Sequence, residues 1–142
     1  MKDVNYALRK AYFAALKTIT YNSSPVPVYY QYLPDDINPD IYILFGGINN
    51  NDISTGNSFD TSTTIQVTIG TYKEKYNDGK AADQVGGKVL EVIYTKPSSL
   101  SAAGLNVYST ELQNDFVQDW KLQDQRVYID RLITFKHNIF QN

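Results

Sequence analysis

The sequence predicts an α+β domain in which two helices pack on a mostly antiparallel sheet. Three observations carry this expectation. Apolar residues recur at helical spacing near the N-terminus and again after Gly79. Between those stretches, three strand-like runs are marked off by Pro, Gly, Asn and Asp. The last third returns to strand-like patterning, and no repeat or linker interrupts the chain, so the whole of 1–142 is read as one domain.

The first helix is expected from about Asp3 to Ile19. Val4, Leu8, Tyr12, Ala15 and Ile19 share one face, which Ala7, Ala11 and Leu16 widen. Asp3 suits an N-cap, because its carboxylate accepts from free backbone N–H groups at the positive helix end. Lys2, Arg9, Lys10 and Lys17 form the polar face. Tyr21 to Pro25 then stops the helix, since the residue before proline disfavours helical angles.

In the next run Val26, Val28, Tyr30 and Tyr32 fall on one side, and Pro27, with no N–H to donate, suits an edge strand or a strand start. Leu33 to Pro39 reads as a turn. Ile41 to Phe45 is apolar on both faces, which predicts an inner strand covered on two sides. Gly46 to Asp60, rich in Gly, Asn, Ser and Asp, reads as a mobile loop within a longer hairpin connection. After it, Ile65, Val67 and Ile69 alternate with Thr64, Gln66 and Thr68, the pattern of a half-buried strand.

Asn77-Asp78-Gly79 supplies a helix start, and Ala82, Val85, Val89, Val92 and Ile93 form a second amphipathic stripe that Lys96-Pro97 ends. Gly86-Gly87 inside it costs about 1 kcal/mol per glycine against alanine, which predicts a close approach of the helix to the sheet or a neighbouring subunit. Leu105 to Ser109, Phe116 to Leu122 and Val127 to Ile139 read as two or three further strands. In the last, Val127, Ile129, Ile133 and Phe135 share a face with Arg131 and His137; a strand that long is expected to reach beyond its own core to a partner.

Composition narrows the function classes. A net charge of −2 does not suit a phosphate-backbone binder, and the absence of cysteine rules out a disulfide scaffold and thiolate zinc sites. The N-terminus carries charges throughout and lacks the apolar run of a signal peptide, and no stretch has the length of a membrane span. Twelve tyrosines against one tryptophan fit strand propensity, and also fit protein–protein contacts, where tyrosine is enriched.

Reactive constellations are scarce. His137 is the single histidine, and no GxSxG elbow presents a serine to it. Asp35, Asp36 and Asp40 lack the DxDxDG spacing of a calcium loop, and Asn49, Asn50, Asn51 and Asp52 suit turn backbone bonding better than metal. Gly46-Gly47 precedes neither a lysine–serine pair nor a helix, and Gly79, Gly86 and Gly87 do not make a GxGxxG. The expectation is therefore no catalytic, cofactor or metal site. An enzyme or small-molecule binder, the reading from another class, would have to draw on Asp35, Asp36 or Asp119.

The order of elements, taken over nearly the whole chain, resembles the tail-completion or tail-terminator proteins of tailed bacteriophages and prophages. The resemblance begins with the opening helix DVNYALRKAYFAALK and a Val-Pro-Val-Tyr strand. A proline-bearing turn and PDIYILFGG follow, then TIQVTIGTY, the helix KAADQVGGKVLEVIY and the closing strand RVYIDRLITFKH. Two departures stand out: Asp40-Ile41-Tyr42 replaces the usual Pro-Tyr pairing, and Leu105 to Gln125 is longer and more polar than the family pattern. They leave a tail terminator, a neck adaptor on the portal and a related ring component as alternatives. The resemblance implies a non-enzymatic virion protein without cofactors, made in the host cytoplasm and located in the tail or neck. It further implies a homo-oligomeric ring, a hexamer before a dodecamer, that contacts tail tube and head connector while DNA passes through without specific binding. Subunit contacts are then expected at the loop holding Asn49, Asn50, Asn51 and Asp52, and along the strand edges from Tyr108 to Trp120.

Overall fold

The computed structural model describes residues 3–34, 39–56, 59–73, 79–94, 105–121 and 127–141. Its order is α1 (Val4–Leu16), β1 (Thr20–Tyr21), β2 (Ser24–Pro25), β3 (Val28–Tyr30), β4 (Ile41–Asp52), β5 (Phe59–Lys73), α2 (Lys80–Ile93), β6 (Leu105–Lys121) and β7 (Val127–Gln141). One sheet runs β3-β4-β5-β7-β6, and only its β3–β4 pair is parallel. The expected α+β architecture, with a mostly antiparallel sheet and two helices, is the observed one.

Asp3 caps α1 as its chemistry suggests, its Oδ1 accepting from the Asn5 N–H at 2.9 Å. Val4, Leu8, Ala11, Tyr12 and Leu16 face the core. The chain then reverses through a two-residue hairpin, β1–β2, with Asn22 and Ser23 both at positive φ, 51° and 66°. That is the backbone of a tight turn between twisted strands. Its lack of glycine hid it from the sequence reading. Expected to reach Tyr32, β3 stops at Tyr30 because Gln31 takes a φ of 69°.

The sheet has a helix-covered face and an open face. Ile43 and Phe45 of β4, Ile65, Val67 and Ile69 of β5, and Ile133, Phe135 and Ile139 of β7 are fully buried toward the helices. Burial of such side chains stabilises by about 2 kcal/mol each, which is why their period-two spacing sets the register. On the open face Leu44, Gln66, Thr68, Leu132 and Thr134 are only half-buried, so Ile41–Phe45 is covered fully on one side. Tyr42 lies over Gly70, where a Cβ would stand 2.5 Å from its ring Cε1.

Two further segments differ in extent from the sequence reading. The segment read as a loop from Gly46 to Asp60 is mostly ladder: Asn49, Asn50, Asn51 and Asp52 pair with Thr64, Thr63, Ser62 and Thr61. An extra residue is absorbed at a bulge beside Gly47, whose φ is 63°. Cross-strand pairing overrides turn-forming composition there, leaving residues 53–58 between the strands. Secondly, Leu105–Lys121 is one strand, interrupted by bulges between Val107 and Ser109 and between Leu112 and Asn114. Asp35, Asp36, Asn77, Asp78, Lys96, Pro97 and Leu122, on which other expectations fell, lie outside the described residues.

The glycine pair of α2 divides. A Cβ on Gly86 would lie 2.7 Å from Arg131 Cδ and 2.9 Å from Cζ, so this is the close approach to the sheet; Gly87 has nothing within 4 Å. Gly87→Ala is expected to raise stability by up to about 1 kcal/mol through helix propensity alone. Gly86→Ala is expected to lower it, despite the same propensity gain, because Arg131 must move. Urea midpoints for the two variants check this, and a gain for both would contradict the packing.

Candidate assembly interface

The surface with the least cover is β6. It forms one edge of the sheet, and every residue from Glu111 to Asp119 is exposed, so neither of its faces is packed there. Register with β7 places Leu112 and Val117 on the side of the helices and Phe116 on the open side. Leu112 is 37% exposed, Phe116 39% and Val117 53%. Seventeen residues of strand, roughly 50 Å long, thus present backbone hydrogen-bonding groups and apolar side chains together. A free edge of that length is a template for another chain unless it is blunted.

Three contacts hold this exposed strand to the body. Arg131 on β7 makes a two-pronged bond to Asp115, Nε to Oδ1 at 2.9 Å and Nη2 to Oδ2 at 2.8 Å, while its Nη1 donates to the Asp83 carbonyl of α2 at 3.3 Å. Hydrogen bonding from Arg131 holds the Asp115 carboxyl below its ordinary range, and the same bond raises Arg131. Thr110 reaches inward, its Oγ1 3.0 Å from His137 Nδ1. Tyr108 crosses β7 on the open face to donate to Asp60 Oδ2 at 3.0 Å.

The residues expected to form subunit contacts do not make one patch. Asn49, Asn50, Asn51 and Asp52 are exposed on β4 near the hairpin tip. Asn50 is engaged internally, donating to Asn5 Oδ1 and accepting from Thr63 Oγ1 at 2.7 Å. Asp52 accepts from the Ser54 N–H at 2.8 Å, and hydrogen bonding from the Ser54 side chain, then from its backbone, lowers the carboxyl. Tyr108 lies at this same end of the sheet, across β5 and β7. Trp120 is paired with Tyr128 at the far end, twelve residues or about 40 Å along β6. Missed by the sequence reading were Leu112, put out of phase by lying between the two bulges, and Asp115 and Val117, which alternate regularly beyond them.

Among the described residues no three His, Cys, Asp or Glu groups gather as a metal site, and no helix is long and apolar enough to cross a membrane. A cavity of about 570 Å³ is lined, among the described residues, by Tyr21, Asn22, Asp40, Ile41, Thr71, Tyr72 and Ala81, of which Asp40 is the one carboxylate. Asp119, which an enzyme reading would use, stands exposed on the edge strand, two strands over from the cavity's Thr71 and outside its described lining.

Two buried groups carry displaced titrations. His137 is fully buried between the Tyr12 hydroxyl, on its Nε2, and Thr110, and burial pushes it down to about 4 from 6.5. Both hydroxyls can donate or accept, so the neutral ring is satisfied in either tautomer. Tyr12 is itself raised by burial and stays neutral. Asp130, 8% exposed on the open face beside Tyr42, is pushed up to about 6 from 3.8 by burial.

No protein-family profile and no curated protein matches the sequence. The fold is similar to a chain from the virion of a native gene transfer agent particle, with a TM-score of 0.73, 12% identity and 99% of each chain covered. A second solved structure is similar at a TM-score of 0.53 and 15% identity, covering 93% of this chain and 94% of the other. At these identities what is shared is the fold.

The two displaced groups act on stability with opposite sign. The Asp130 contribution is present below about pH 3.8 and is lost as pH rises toward 6. The His137 contribution is present above pH 6.5 and is lost as pH falls toward about 4, on the order of 3 kcal/mol over that window. The intact protein should therefore show a shallow profile between these limits. In Asp130→Asn the urea midpoint is expected to fall steadily on acidification, and in His137→Gln to rise. Parallel profiles for all three proteins would contradict the assignments.

Proposed function

We propose that this chain is a structural subunit of a tailed-phage-like particle, a one-domain protein that closes into a ring with copies of itself where tail meets head. The observation that carries this reading is the long, apolar-studded free edge of β6, held in place by Arg131, Thr110 and Tyr108 yet exposed on both faces from Glu111 to Asp119. Its support is the full-length likeness of fold to a chain of a gene transfer agent virion. The family resemblance of the element order supplies the position at the tail end.

In this reading the protein acts by shape. A ring built from one repeated contact uses one surface of each copy against a different surface of the next, and closes when the rotation per step divides a full turn. A hexamer matches a tail tube. The ring would cap the tube on one side and offer its other side to the head connector, with DNA passing through unbound. No residue is assigned a catalytic role, and no cofactor is required.

Light scattering coupled to size-exclusion chromatography, followed by negative-stain class averages, tests the proposal. A closed sixfold ring, alone or on purified tail tube, is the expected result. A twelvefold ring would favour a portal-bound adaptor instead, and a strict monomer that ignores tube and connector would overturn both. Val117→Glu is expected to weaken assembly at least about tenfold, since a central apolar contact is worth more than about 1 kcal/mol. Its melting temperature should stay within a few degrees of the parent, because the side chain is 53% exposed in the subunit.

A further inference from the structure

The ring reading requires a second surface to receive β6, and the opposite margin of the molecule has the matching chemistry. There α1 and β3 enclose a groove of about 420 Å³ lined by Arg9, Lys10, Phe13, Ala14, Lys17 and Tyr30. The guanidinium of Arg9 stacks 4.8 Å from the centre of the Tyr30 ring, joining helix to edge strand. Between Val4 and Leu16, α1 contains no acidic residue. Lys10, Phe13 and Lys17 recur at helical spacing as cation, apolar group and cation, and all three are exposed, Phe13 by 45%. Seven residues of helix separate the two ammonium-bearing positions by about 10 Å along the axis.

On β6 the side facing the helix layer reads Asp115, Val117, Asp119: acid, apolar group, acid. Four residues of strand set the two carboxylates about 13 Å apart along the chain. From Leu105 to Asp119 the strand has three acidic residues and no basic one. Asp115 already accepts one hydrogen bond on each oxygen from Arg131, and each oxygen keeps a further lone pair. The stripes are opposite in sign, alike in order, and within about 3 Å of each other in length.

Geometry supports the same pairing. β3 and β6 are opposite edges of one sheet, and both helices lie on one face. Side-by-side copies therefore bring the outer side of α1 from one subunit to the bare helix side of β6 on the next. We infer that the partner of β6 is the Lys10–Phe13–Lys17 stripe of a second copy of this chain, so that α1 of each subunit completes the helix layer of its neighbour. The inference rests on the ring reading and deepens it by naming both halves of the contact.

Charge exchange tests it. Lys10→Glu with Lys17→Glu, and separately Asp119→Lys, are each expected to raise the concentration needed for assembly at least tenfold, with melting temperatures unchanged within a few degrees. Combining the three substitutions is expected to recover at least tenfold over either parent variant, and added salt should weaken the natural protein more than the recombined one. If the natural protein forms rings that the lysine variants form equally well, this pairing fails while the ring stands. Disruption without rescue by Asp119→Lys also overturns it. Loss of duplex-DNA retention with assembly intact would assign the lysines to nucleic acid and overturn it as well. A natural protein that never associates removes the ring reading itself.

Discussion

The sheet is larger than its cover. Helices of thirteen and fourteen residues reach about 20 Å each, whereas β5, β6 and β7 have fifteen to seventeen residues and extend to about 50 Å. α2 packs on β5 and β7, and the rings of Tyr12 and Phe13 in α1 meet Phe45 in β4, so the helix layer ends before the fifth strand. Every unusual property of β6 follows from that shortfall. Its hydrogen bonds to β7 keep it extended, and Val107 near one end reaches the core, but from Glu111 to Asp119 no described residue of the subunit dries its faces.

Such a strand would fray if pairing alone held it, and the molecule compensates with polar anchors in place of apolar burial. Arg131 is the main one. It crosses beneath the close approach at Gly86, takes a carbonyl of α2, and ends on both oxygens of Asp115. Helix, inner strand and edge strand are thereby linked through one planar guanidinium, whose rigid fork loses little entropy on binding. His137 repeats the device nearer the hairpin tip, its ring joining α1 through Tyr12 to β6 through Thr110. The single histidine is thus accounted for by architecture, and its burial keeps it neutral.

How far the fold was legible in the chain depended on whether periodicity or pairing decided each segment. α1 with its Asp3 cap, and β5 with Ile65, Val67 and Ile69, follow directly from spacing, because there the core imposes the pattern. The Gly46–Asp52 segment is rich in turn residues, yet it is extended because Thr61 to Thr64 lie opposite to receive it and Gly47 absorbs the bulge. β6 was harder. Each bulge inserts one residue against β7, at Tyr108 and at Gln113, and each insertion exchanges the faces of everything after it. The two exchanges cancel, so Asp115, Val117 and Asp119 share the face of Val107, while Thr110 and Leu112 between the bulges reach that face out of phase and break the alternation that would have shown the strand as one.

An exposed edge of this kind also has to avoid pairing with itself. Asp115 and Asp119 would bring like charges face to face if two β6 strands met, in register when parallel or centred on Val117 when antiparallel, and such pairs are unfavourable on adjacent strands. Bulges at two points further break the regular template that strand-to-strand aggregation requires. Self-pairing of β6 would be isologous and would stop at a dimer. Its suppression leaves contacts between unlike surfaces, the class that propagates around a ring. A cationic, aromatic groove at the other edge of the same sheet meets that requirement, so in the proposed ring the charges that protect β6 from itself would also select its neighbour.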